Sequence, residues 1–269
     1  MSTRPVLGGL HLAEPPGAPD CPLLVVGPSL GTSAAALWNA AAQHLSAHVR
    51  VVSWDLPGHG STQGTCHDPF VMADLAVAVL ELVDQSSPGA VFHYAGVSVG
   101  GCVGLQLLLD APERVATATL ICTGARIGTS QAWHDRAATV RRSGTRAVQD
   151  SSAQRWFAAG FDERDPATYR ALIDGLDEIN PEGYAQVCEA LADFDVETRL
   201  PEIVAPVCTI AGAEDIATPP QLSHQIAVGV QAGCSAVLDG VAHLAPAEKP
   251  RDVAEVILSH IASYADSKT

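Results

Sequence analysis

With 269 residues, 47% of them hydrophobic and 17% charged, the chain has the length of one α/β domain and enough apolar material for a large core. Its formal net charge of −15 repels nucleic acid and anionic membrane surfaces, and no run of about 18 apolar residues is present to span a bilayer, so neither is expected as a partner. Seven scattered cysteines without a C-x-x-C pair, and a first segment lacking the apolar stretch of a signal peptide, predict buried thiols in a cytoplasmic protein rather than a disulfide framework or a metal site.

Residues 1–20 carry Gly8, Gly9, Pro15, Pro16, Gly17 and Pro19, which restrict any strand there, such as 10–13, to a short one at a sheet edge. The apolar run 22–27 then reads as a strand covered on both faces, opening into Pro28-Ser29-Leu30-Gly31-Thr32-Ser33. A helix over about 35–46, a strand over 49–54 and an amphipathic helix over 70–84 follow. The run 90–94 leads into Gly96-Val97-Ser98-Val99-Gly100-Gly101, a helical pattern over 102–110 and a further strand over 116–122.

From 123 to about 199 the strand signals stop. Residues 130–142, 146–158, 166–178 and 181–194 have helical spacing, with Pro166 and Pro181 where a first helical turn tolerates proline. Strand pattern resumes at 206–211 and 235–238, and a last helix covers about 250–264. The expected architecture is α/β: a mostly parallel sheet with helices on both faces, built from residues 1–123 and 199–269. The helical insertion 124–198 is expected to cap the carboxyl ends of the strands, where ligands bind in such sheets.

Ser98 sits in a G-x-S-x-G turn between a strand and a helix. Glycines two places before and after it let neighbouring backbone come close, and the turn pushes the hydroxyl into open space at the positive end of the next helix. The same pattern also describes a glycine-rich packing turn, so the partners decide. Ala211-Gly212-Ala213-Glu214-Asp215 and Gly240-Val241-Ala242-His243-Leu244 each follow a strand, which carries Asp215 and His243 to the same rim as Ser98. The order Ser, Asp, His is that of the α/β-hydrolase fold, with Ser98 as nucleophile, His243 as base and Asp215 as orienting acid. Glu214, its neighbour, competes with Asp215 for that role. The Val99 amide and, from the loop after the first strong strand, the Leu30 amide are the expected oxyanion donors. His59, in Pro57-Gly58-His59-Gly60-Ser61, reads as a brace for a tight turn, and Cys102 as a core thiol.

Five segments together resemble the 3-oxoadipate enol-lactonases: Asp55-Leu56-Pro57-Gly58-His59-Gly60-Ser61, the Ser98 turn, Thr123-Gly124-Ala125-Arg126-Ile127-Gly128-Thr129, Ala211 through Pro220, and Ala242-His243-Leu244-Ala245-Pro246-Ala247-Glu248-Lys249-Pro250. The Ala-Arg-Ile-Gly-Thr stretch with Trp133 beyond it is the specific part. Gly-Val-Ser-Val-Gly stands where Gly-Leu-Ser-Met-Gly is commoner, and Gly27-Pro28-Ser29 where an Asn-Ser type loop is. The resemblance implies a cofactor-free serine hydrolase that opens a small anionic lactone, with Arg126 as the carboxylate contact, Trp133 as an apolar wall and Arg136 as the second choice for the charge.

The charge distribution points the same way. Arginines 126, 136, 141, 142, 146, 155 and 164 face only four acids, Asp135, Asp150, Asp162 and Glu163, between 124 and 164, a cationic patch in an acidic chain. Part of that patch is expected to be a solvated helical face. A general carboxylesterase or a carbon–carbon bond hydrolase would share the triad without needing arginines in the pocket, and on a non-catalytic ligand receptor of the same fold the triad would serve binding or be vestigial.

Overall fold

The structure, a computed structural model, describes residues 4–14, 21–62 and 68–266. Seven strands form one sheet: β1 Gly9–Ala13, β2 Leu23–Gly27, β3 Arg50–Trp54, β4 Phe92–Val97, β5 Val115–Ile121, β6 Val207–Gly212 and β7 Gly233–Leu238, in the order β1-β3-β2-β4-β5-β6-β7. Only β1 runs antiparallel, and it lies at the edge, as its glycines predict. The other pairings are parallel. Every residue of β2, β4, β5 and β6 is buried, the pattern of strands covered on both faces. The Pro15–Pro19 stretch that limits the first strand lies outside the described residues.

The covering helices are α1 Ala34–Leu45, α2 Met72–Ser86 and α3 Val99–Asp110, joined after β6 by α9 Pro220–Gly229, α10 Ala245–Glu248 and α11 Pro250–Asp266. α1 packs on α11 and α2 on α3. Between β5 and β6 the regular elements of the described residues are all helical: α4 Ser130–Ser143, α5 Gln149–Trp156, α6 Phe161–Arg164, α7 Pro166–Asp174 and α8 Pro181–Ala192, with α4 packed along α8.

Two predicted helices are shorter than their pattern. Gly144, at φ 74°, closes α4, and a 3₁₀ turn over Thr145–Val148 precedes α5, so 146–158 is not one helix. Gly175 likewise ends α7 in a 3₁₀ turn, Gly175–Glu178. α9 has no counterpart among the predicted elements. Its buried face is Ser223, Ile226 and Ala227, too small and too polar to stand out as an apolar stripe. No described helix is long and apolar enough to cross a membrane.

Candidate active site

The turn between β4 and α3 is built around backbone contacts that exclude side chains. A Cβ on Gly96 would lie 2.3 Å from the Gly100 carbonyl oxygen, and one on Gly100 would lie 2.6 Å from that of Pro28. Ser98 is held at φ 57°, ψ −116°, a conformation uncommon for a residue with a side chain, by bonds on both sides of it. Its N–H donates to the Ile121 carbonyl (2.9 Å), and its carbonyl accepts from Thr123 Oγ1 (2.7 Å) and the Cys102 amide (3.0 Å). The turn is over-determined, so it can hold a strained residue in place. Val99, immediately after, is the first residue of α3, where an amide has no carbonyl one turn back inside the helix.

Across the cleft, the loop after β2 presents Leu30. The amides on either side of it are engaged: Ser29 N–H donates to Thr32 Oγ1 (3.2 Å) and Gly31 N–H to His59 Nε2 (3.2 Å). His59 is fully buried, and its Nδ1 lies 2.9 Å from the Pro57 carbonyl. An acceptor at Nε2 requires the proton at Nδ1, so the ring is neutral and bridges two loops. Burial lowers its pKa to about 4 against the weaker raising effects of Pro57 and Asp55, which agrees with a neutral ring. His59 is therefore a brace, as its turn implied. Cys102 is also inert: burial pushes its thiol up to about 12.

Asp215 follows β6 and His243 follows β7. Asp215 Oδ2 lies 2.9 Å from His243 Nδ1 and also accepts from Thr218 Oγ1 (2.7 Å), while Oδ1 accepts the amides of Ala217 (2.8 Å) and Thr218 (2.9 Å). Burial works to raise this carboxyl, but His243 and the Thr218 bonds outweigh it and hold it below the usual carboxylate range. An ionised Asp215 can only accept, so Nδ1 of His243 donates and its Nε2 is left as the basic atom. Glu214 turns the other way, to the Ala159 amide (3.2 Å). The geometry thus pairs His243 with Asp215 and not with its neighbour.

Ser98, His243, Leu30, Thr218, Trp133 and Trp156 line one cavity of about 280 Å³. This is near the lower end of the range for ligand pockets, about 300–1,000 Å³, and suits a small molecule. Two arginines, Arg136 and Arg155, also line it. Arg136 donates from Nε to Tyr184 Oη (2.8 Å) and from Nη2 to Ser152 Oγ (3.0 Å), which leaves other N–H donors of its five unassigned. Arg155 donates to the Ser151 carbonyl (2.9 Å) and is half-buried beside Arg136; burial and that neighbour lower its pKa. Among the described residues no carboxylate forms an ion pair with either.

The structure corrects one expectation here. Arg126 does not line the cavity. It is half-exposed and lies 3.7 Å from Asp195. Ala125 and Ile127 on either side are buried, and Ala125 is anchored by the Val196 amide (3.0 Å), so the residue between them faces outward. Arg136, the second choice, and Trp133 do line it, the latter with its indole N–H on the Ile127 carbonyl (2.6 Å). Arg141 belongs to the outer face, paired with Glu182 and Glu189 on α8. Sequence reasoning counted Arg155 without placing it and missed Tyr184, Trp156 and Thr218. Thr218 alone had a local signal, an Asp followed three residues later by Thr, the spacing of a carboxylate that caps its own turn.

The profile of the alpha/beta hydrolase family matches residues 23–256. A 3-oxoadipate enol-lactonase from Acinetobacter baylyi is 37% identical over 203 residues, 75% of this chain and 74% of its own length. A second enol-lactonase of that organism is 29% identical over 92% of the chain and 91% of its own length. The crystal structure of the enol-lactonase from Burkholderia xenovorans LB400 superposes with a TM-score of 0.89 at 28% identity, covering 95% of this chain and 96% of that one.

Proposed function

The chain belongs to the alpha/beta hydrolase family, grouped with the 3-oxoadipate enol-lactonases, and from that premise we propose that it opens the ring of a small, carboxylate-bearing enol-lactone by serine catalysis. One observation carries the proposal: the cavity lined by Ser98 and His243 is also lined by two arginines, Arg136 and Arg155, that pair with no carboxylate among the described residues. In this reading residues 124–198 act as a cap, contributing Trp133, Arg136, Arg155, Trp156 and Tyr184 to the cavity. The hydrolase works in the cytoplasm without a cofactor.

The chemistry follows from the residues. Ser98 Oγ attacks the lactone carbonyl while His243 Nε2 takes its proton, and Asp215 supports the imidazolium that forms. The amides of Leu30 and Val99 receive the oxyanion. The ring oxygen leaves as an enolate, a better leaving group than an alkoxide; it takes the proton back from His243, and the enol tautomerises to a ketone, so ring opening becomes hard to reverse and the imidazole is again a free base. Water activated by His243 then hydrolyses the acyl-enzyme.

A buried carboxylate needs a charged donor, and a guanidinium can grip it through two parallel hydrogen bonds. Arg136 takes over the role first expected of Arg126. Hydrogen bonds to charged groups contribute about 1.5–3 kcal/mol, so Arg136→Ala is expected to lower kcat/KM by about 10–150-fold on a carboxylated lactone. The loss should largely vanish on the methyl ester of the same lactone, and Arg126→Ala should change neither by more than about twofold. Equal losses on acid and ester for Arg136→Ala would reduce that residue to a packing role against Tyr184.

A further inference from the structure

Glu248 is a buried carboxylate that the reaction does not use. It closes the four-residue α10, is 9% exposed, and spends both oxygens on backbone amides far apart in sequence. Oε1 accepts from Ala242 (2.8 Å), the residue before His243, and Oε2 accepts from Ala158 (2.8 Å), two residues after Trp156. The Trp156 carbonyl completes the junction by accepting the amides of His243 (3.1 Å) and Leu244 (3.1 Å). Two direct hydrogen bonds, and two more through the Glu248 carboxylate, therefore join segment 156–158 of the cap to segment 242–244 of the body. Both segments touch the cavity, one through Trp156 with Arg155 beside it, the other through His243.

A carboxylate is costly to bury, and burial does push this carboxyl up, with Glu214 adding to the effect and the two amides and Arg164 opposing it. No neutral side chain of the same length replaces it. Glutamine has a single acceptor oxygen, and its NH₂ would meet one of the two N–H groups donor to donor. A chain that needed only packing here would be served by an apolar residue.

We propose that Glu248 is a positioning residue whose two-sided carboxylate pins the cap segment 156–158 to the His243 loop, and so sets the imidazole and the arginine-bearing wall of the cavity in register. The inference rests on reading His243 as the base. Misplacing a reacting group by about an ångström can cost on the order of 10²-fold, so Glu248→Gln is expected to lower kcat by about 10–100-fold per active site.

The test counts active sites by fluorophosphonate labelling and follows backbone hydrogen exchange by mass spectrometry in the intact protein. In Glu248→Gln, exchange should rise together in peptides covering 156–160 and 242–245, and kcat per labelled site should fall with thermal unfolding still cooperative. Glu214→Ala is the control, because it removes the acceptor of the Ala159 amide and leaves both Glu248 bonds in place. It should loosen only the first segment and leave kcat within about twofold. If exchange rises in one segment alone, or kcat per labelled site is unchanged, Glu248 is merely structural. Should Glu248→Gln be too unstable to label, Glu248→Asp, which retains the charge but is too short to reach both amides, must show the same paired changes or the proposal falls. Label found on a residue other than Ser98 would instead remove the catalytic reading itself, leaving the exchange result to judge the junction separately.

Discussion

Ser98→Ala is expected to abolish turnover, a loss on the order of 10⁶ in kcat on the scale that removal of the nucleophile has in a serine protease. The fold should be untouched. The bonds that hold this turn, from Ser98 N–H to Ile121 and to the Ser98 carbonyl from Thr123 and Cys102, are backbone bonds of residue 98 and survive the change. Alanine also shares serine's tolerance for the strained φ, so thermal unfolding should coincide with that of the parent protein within a degree or two. Steady-state assays on an activated ester, sensitive to the residual rate, provide the check. Substantial turnover by a normally folded variant would transfer the nucleophile's role away from the β4–α3 turn.

The second large effect belongs to Asp215. Asp215→Asn keeps the shape but replaces an acceptor with a group that can donate to His243 Nδ1, which favours the wrong tautomer and removes the charge opposite the imidazolium. The comparable change in a serine protease lowers kcat by about 10⁴, and a loss of that order is expected here. Thr218 and Ala217 still find an oxygen on the asparagine, so the turn after β6 should persist. Glu214→Gln should cost little in the same assay, since Glu214 contacts the Ala159 amide rather than His243. A reversed ranking would mean that the two neighbours exchange roles in the working enzyme.

The two carboxylates show what a sequence can and cannot disclose. A strand followed by Gly212-Ala213-Glu214-Asp215 brings both acids to the sheet's rim, but which one turns inward is settled by Asp215 capping the amides of Ala217 and Thr218. Ser98 was legible because the glycines needed for its turn stand in one short motif. Arg136 was legible as a second choice, but the places of Arg126 and Arg155 were not. Arg126 starts at the rim, yet the alternation of Ala125 and Ile127 into the interior sends it to Asp195. Arg155 lines the cavity at the end of α5, whose last residue, Trp156, bonds the His243 loop, a tertiary fact with no local pattern. Glu248 stood in plain view, five residues after His243, and its spacing gave no hint that it binds a backbone amide ninety residues upstream. The parallel core, by contrast, could be read strand by strand because each central strand is a short, mostly apolar run.

Ring opening of a carboxylated enol-lactone is tested by supplying the intact protein with that lactone, its methyl ester and an acyclic ester of similar size, and measuring kcat/KM for each. The free-acid enol-lactone is expected to open fast, with the methyl ester slower by about 10–150-fold, the value of the lost charge-assisted bonds, and the acyclic ester slower again. Equal rates on the acid and its methyl ester, or a preference for the acyclic ester, would contradict the proposed function.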